Sequence, residues 1–84
     1  MKIKVLGTGC AKCKLLYNEA QKALAASGVA ADLEKVEKID EIMGYGVMMT
    51  PALVIDDEVK ASGRIPPSAE IVAWITTAAA KVSG

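Results

Sequence analysis

The only two cysteines of this chain, Cys10 and Cys13, form a CxxC motif where a strand-like pattern gives way to a helical one. The apolar run Ile3-Lys4-Val5-Leu6 and the turn-like Gly7-Thr8-Gly9 come before them, and an Ala-, Leu- and Lys-rich stretch follows. Backbone N–H groups at a helix start have no internal partner and carry the positive end of the helix dipole, so a thiolate there is favoured over a thiol. With a helix starting near Ala11, about 3.6 residues per turn place Cys13, Leu16, Tyr17, Ala20, Leu24 and Ser27 on one face. Asn18, Glu19 and Lys22 fall on the other, so the first is the core face. Cys13 is then expected beneath the first turn and Cys10 at or just before the N-cap, open to a partner. Cys10 reads as the attacking sulfur. Cys13 reads as the resolving one, since a second thiol three residues along a helix can reach a mixed disulfide and close an intramolecular one.

A chain of 84 residues cannot divide its apolar side chains between two cores, so residues 1–84 read as one domain. Hydrophobic residues make up 52% of it, enough for a core that needs no disulfide staple. Ten basic and ten acidic residues cancel, and no Lys/Arg cluster stands out, which makes nucleic acid and anionic membrane surfaces poor partners. Met1-Lys2-Ile3-Lys4 does not lead into the continuous apolar stretch of a secretory signal, and no segment is long enough to span a bilayer. A cytoplasmic monomer is the expectation. In a reducing cytosol a close CxxC is more often redox-active or metal-binding than structural.

Along the chain, the first helix runs to Ser27 and Gly28 is its left-handed stop. A second strand is predicted over Asp32 to Val36, and Ile39, Ile42 and Met43 have the spacing of a short helix ended by Gly44 and Gly46. Ala52-Leu53-Val54-Ile55 has the apolar run of a buried strand; Asp56-Asp57 turns the chain, and Val59-Lys60-Ala61 returns as its antiparallel partner. After Pro66-Pro67, Ser68 is placed to cap a last helix with Ile71, Val72, Ile75, Ala79 and Val82 on one face.

That order, with a CxxC after the first strand, resembles a thioredoxin fold without the N-terminal strand and helix of full-length thioredoxins. Tyr45-Gly46-Val47-Met48-Met49-Thr50-Pro51-Ala52-Leu53-Val54-Ile55 resembles the segment in which a cis-proline opens the strand facing the active site. Glu58-Val59-Lys60-Ala61-Ser62-Gly63 resembles the returning strand and its following glycine. Over nearly its whole length the chain is similar to the small bacterial and archaeal thioredoxin-like proteins called redox-active disulfide proteins. The resemblance implies an α/β, minimal thioredoxin fold in the order βαβαββα, a mixed four-stranded sheet with three helices. It also implies a thiol–disulfide oxidoreductase with Cys10 as nucleophile and Cys13 as resolving cysteine. Gly9, Ala11, Lys12, Thr50 and Pro51 would form the substrate groove, with a cis Thr50–Pro51 bond against the cysteines and the Thr50 backbone holding an extended substrate. The implied partners are protein disulfides and a reductase, with no cofactor and no resident metal.

The chain departs from thioredoxins at identifiable places. Gly9 replaces the usual Trp before the first cysteine, and Ala11-Lys12 replaces Gly-Pro between the two. The first strand lacks the buried acid that serves thioredoxins as a base near the resolving cysteine; only Lys2 and Lys4 interrupt its apolar run. Gly63-Arg64 stands where glutaredoxins carry the Gly-Gly that helps to hold glutathione.

The competing reading is a soft-metal-binding module or carrier, because two thiolates can hold Cu(I) or a similar ion. Heavy-metal domains with a CxxC after the first strand end in a strand, whereas this chain has a helical pattern at its end. A structural zinc site would need two more ligands, and the chain has no histidine and no further cysteine. Lys12 and Lys14 read as a solvated helix face, Tyr17 and Trp74 as packing residues. Of Met48 and Met49, one is expected in the core and one near the groove.

Overall fold

A computed structural model describes residues 2–8 and 11–83, with the side chains of 81–83 excepted. The elements are β1 (Lys2–Leu6), α1 (Ala11–Ser27), β2 (Asp32–Val36), α2 (Ile39–Gly44), β3 (Ala52–Ile55), β4 (Glu58–Ser62) and α3 (Ser68–Ser83). The strands form one mixed sheet in the order β2-β1-β3-β4, with β1 and β2 parallel and the other neighbours antiparallel. This is the minimal thioredoxin fold, α/β with three helices and the order βαβαββα.

The apolar run of β3 follows from its position in the middle of the sheet, where both faces are covered. Leu53 and Ile55 join Ile3, Val5 and Ala61 on the face packed by Leu16, Ala20 and Ala23 of α1 and by Ile71, Ile75 and Ala78 of α3. Ala52 and Val54 point the other way and join Leu6, Val36 and Ile42 of α2, with Tyr45 and Val47 at the margin. Burying each of the larger aliphatic side chains stabilises the fold by roughly 1.5–3 kcal/mol. The larger share of this burial lies on the α1/α3 face.

Helix α1 ends where the sequence places its stop. Gly28 has φ +69°, a conformation that costs glycine little. The Ser27 hydroxyl donates to the Leu24 carbonyl at 2.8 Å and accepts the Val29 N–H at 3.2 Å, fastening the last turn. Helix α3 begins differently from expectation. The Pro67 carbonyl accepts the N–H of Ile71, so Pro67 supplies the first helical acceptor and Ser68 is already inside the helix. Helix α2 is short, and of its apolar residues only Ile42 is buried; Ile39 and Met43 are exposed. A single helical turn and a half offers the sheet one contact row, so the neighbouring positions stay in solvent.

Short α2 also leaves a lysine in the middle of the sheet with a partner of its own. Lys4 Nζ donates to the Tyr45 hydroxyl at 2.6 Å and stands 5.3 Å from the centre of its ring. That hydrogen bond holds the amine above its ordinary pKa, against the opposing effect of partial burial; the charges of Tyr45, Asp57 and Glu34 act in the same upward direction.

Candidate functional site

Cys13 lies in the first turn of α1 and is 6% exposed, on the core face where helical phase places it. Its neighbours Ala11, Lys12 and Lys14 are exposed. Cys10 and Gly9, the attacking sulfur and the groove residue before it in the sequence reading, lie outside the described residues.

The surroundings of Cys13 are set by the turn out of β1. A side chain on Gly7 would overlap the Cys13 sulfur and lie 3.1 Å from its Cβ, so the thiol packs directly against bare backbone. Gly7 is itself pinned, since its N–H donates to the Val36 carbonyl at 2.9 Å, tying this turn to the end of β2. Sequence reasoning passed over Gly7. The available signal was a glycine directly after a strand, which often marks a close approach of another group to the backbone.

The proline motif reaches the same end of the sheet. In the antiparallel register Leu6 faces Ala52, so Gly7 and Thr8 leave the ladder at the end where Thr50 and Pro51 enter it. The Thr50–Pro51 peptide bond is cis; Pro51 is buried and Thr50 exposed. Proline has no N–H to offer, but its carbonyl accepts the Gly63 N–H at 2.8 Å, which joins the segment to the end of β4. The Met49 side chain lies over Gly63, with Cβ, Cε and Sδ at 3.1–3.3 Å from where a Gly63 Cβ would be. Neither methionine enters the core. Met48 is 97% exposed and Met49 62%, because the chain here runs outside the sheet and α2 is too short to cover it.

A small cavity of about 40 Å³ opens beside the thiol, lined by Val5, Gly7, Cys13, Lys14, Lys35 and Glu37. Lys35 Nζ stands 4.6 Å from the centre of the Tyr17 ring, and Tyr17 is partly buried against the main core as a packing residue. Trp74 packs against the same core, with the Arg64 guanidinium 5.8 Å from its ring centre. Among the described residues no group of three or more His, Cys, Asp or Glu side chains gathers as a metal cluster. Among them, too, no helix is long and apolar enough to cross a membrane.

A family profile described as "Thioredoxin domain" matches residues 1–76, from the first strand into α3. The chain belongs to the thioredoxin-domain family. Within that family it is 39% identical over 71 residues to a protein named "Thioredoxin" from Methanothermobacter thermautotrophicus, covering 84% of this chain and 92% of that one. A "Thioredoxin" from Methanocaldococcus jannaschii is 38% identical over 69 residues, covering 82% of this chain and 79% of the relative. Both matches span most of this thioredoxin domain, consistent with the near full-length resemblance in the sequence.

Proposed function

We propose that the protein is a thiol–disulfide oxidoreductase that exchanges a Cys10–Cys13 disulfide with protein partners. The observation that carries this reading is the placement of Cys13, buried in the first turn of α1 at the end of the sheet where Thr50 and Pro51 enter β3. Membership of the thioredoxin-domain family supports it.

In the reducing direction, the Cys10 thiolate attacks a partner disulfide, and one partner sulfur leaves while a mixed disulfide forms. Cys13 then attacks Cys10, releasing the second partner sulfur and leaving the Cys10–Cys13 disulfide. The partner gains two electrons, and a reductase returns the pair to the dithiol. By the family resemblance, the partner lies along a groove formed by Gly9, Ala11, Lys12, Thr50 and Pro51. Exposed Met48 and Met49 add apolar, adaptable surface next to it. The protein works as a monomer in the cytoplasm.

Purified protein supplied with dithiothreitol should reduce a protein disulfide in the presence of a metal chelator, and the activity should require both cysteines. Redox-inert protein that binds Cu(I) tightly and stoichiometrically would instead make it a soft-metal carrier.

A further inference from the structure

Resolution of a mixed disulfide requires Cys13 to lose its proton, and Cys13 is nearly buried. A buried thiol resists ionising unless charge or a proton acceptor is at hand. No carboxylate on β1 can serve. Its alternate residues Ile3 and Val5 are packed in the core, and Lys4 is turned to Tyr45. The cavity beside Cys13 offers one. Among the described residues, β1 and the turn after it line the cavity with Val5 and Gly7, α1 with Cys13 and Lys14, and β2 and the residue after it with Lys35 and Glu37. Glu37 is the one carboxylate among these residues. Glu37 is itself exposed, and its backbone is placed by its neighbour Val36, whose carbonyl accepts the Gly7 N–H that backs the Cys13 sulfur. At about 40 Å³ the cavity admits about two waters, enough to bridge a thiol and a carboxylate.

We propose that Glu37 is the proton acceptor for Cys13, reached through water in this cavity. Resting on the oxidoreductase reading above, this assigns the base that the first strand does not supply. As Cys13 Sγ forms its bond to Cys10 Sγ, the bond between Cys10 and the partner sulfur breaks and that sulfur leaves with its electron pair. The Cys13 proton passes through water to Glu37 and from there to solvent or to the departing thiolate. Lys14 and Lys35, both exposed residues of the cavity lining, favour the thiolate by charge, and the Lys35 amine stands 4.6 Å from the Tyr17 ring centre.

The test uses fully reduced protein and one equivalent of dithiobis(nitrobenzoate). Cys10 attack releases a first thionitrobenzoate and Cys13 attack releases the second. Thionitrobenzoate leaves as an anion without needing a proton, so the second release reports deprotonation of Cys13, and the first serves as an internal reference. Glu37→Gln should slow the second release about tenfold near neutral pH, less than a base in direct contact supplies because water lies between the two groups. The gap should close as pH rises through the thiol range, and Glu37→Asp should recover part of the rate. A carboxylate acting only by its charge predicts the opposite sign, because removing it would favour the thiolate and speed the step. Equal or faster second release in Glu37→Gln therefore overturns the proposal and leaves the oxidoreductase reading intact. Failure of the wild-type protein to make a second release overturns both.

Discussion

Gly7 and Cys13 are packed so closely that the smallest possible side chain at residue 7 would occupy the space of the Cys13 sulfur. Gly7 cannot move aside cheaply, because its N–H is bonded to Val36 at the rim of the sheet. Gly7→Ala should therefore destabilise the fold by about 1–3 kcal/mol, the usual cost of overpacking. In a Cys10→Ser background it should also raise the alkylation rate of Cys13, because the sulfur is pushed off the Gly7 backbone toward the cavity that opens beside it. An unchanged denaturant midpoint together with an unchanged alkylation rate would sink this account.

In the proposed reaction the buried Cys13 is the resolving sulfur and Cys10 the attacking one. Cys13→Ser should accumulate mixed disulfides through Cys10, visible as dithiothreitol-sensitive adducts by mass spectrometry, whereas Cys10→Ser should give none. Turnover should fall to background in both variants. Faster alkylation of Cys13 than of Cys10 in the wild-type protein would reverse the assignment.

Lys4 and Tyr45 predict an alkaline dependence. The folded-state pKa of Lys4 is raised, chiefly by its hydrogen bond to the Tyr45 hydroxyl. A raised lysine contributes stability that is fully present below its unfolded value of about 10.4 and is lost as pH rises through the higher folded value. Tyr45→Phe removes the hydroxyl and keeps the ring. Its stability curve should run below that of the wild type at neutral pH and converge with it above about pH 10.4. Curves that stay parallel through the alkaline range would show that the hydrogen bond does not set the shift.

Both residues of the β3–β4 turn have positive φ, Asp56 at 52° and Asp57 at 66°. A two-residue turn of that form is best served by glycine in its second position, since a side chain there costs conformational energy. Asp57→Gly should raise stability by about 0.5 kcal/mol, the gain being limited by glycine's greater freedom in the unfolded chain. A lower melting temperature would count against it.

Legibility in the sequence followed the range over which each signal acts. Asp32–Val36 and Ala52–Ile55 emerged at their observed limits because strand patterns and their flanking breakers are local. Ser27 and Gly28 marked the end of α1 for the same reason. Helical phase also placed Cys13 on the buried face, although it passed over Ala23, whose small side chain is fully covered where α1 meets the core. The exposed state of Ile39, Met43, Met48 and Met49 was not legible, because hydrophobic spacing cannot report how much partner surface a short helix will find. Pairings between distant segments were also hidden. Lys4 meets Tyr45 across 41 positions, and Glu37 lines the Cys13 cavity where the β1–β2 pairing and the Gly7–Val36 bond join the ends of the two strands.

The sheet ends in two unpaired rims, β2 and β4, in a chain whose ten basic and ten acidic residues leave no net charge to keep copies apart. Solubility at high concentration then falls to the rims themselves. On β2, Asp32, Glu34 and Lys35 put charges along the outer strand. On β4, Glu58 and Lys60 do the same, and the irregular step between Leu53 and Val54 keeps the strand from lying flat. A second copy approaching either rim meets charged side chains where it would need bare backbone, which blocks strand-to-strand stacking without any repulsion between whole molecules.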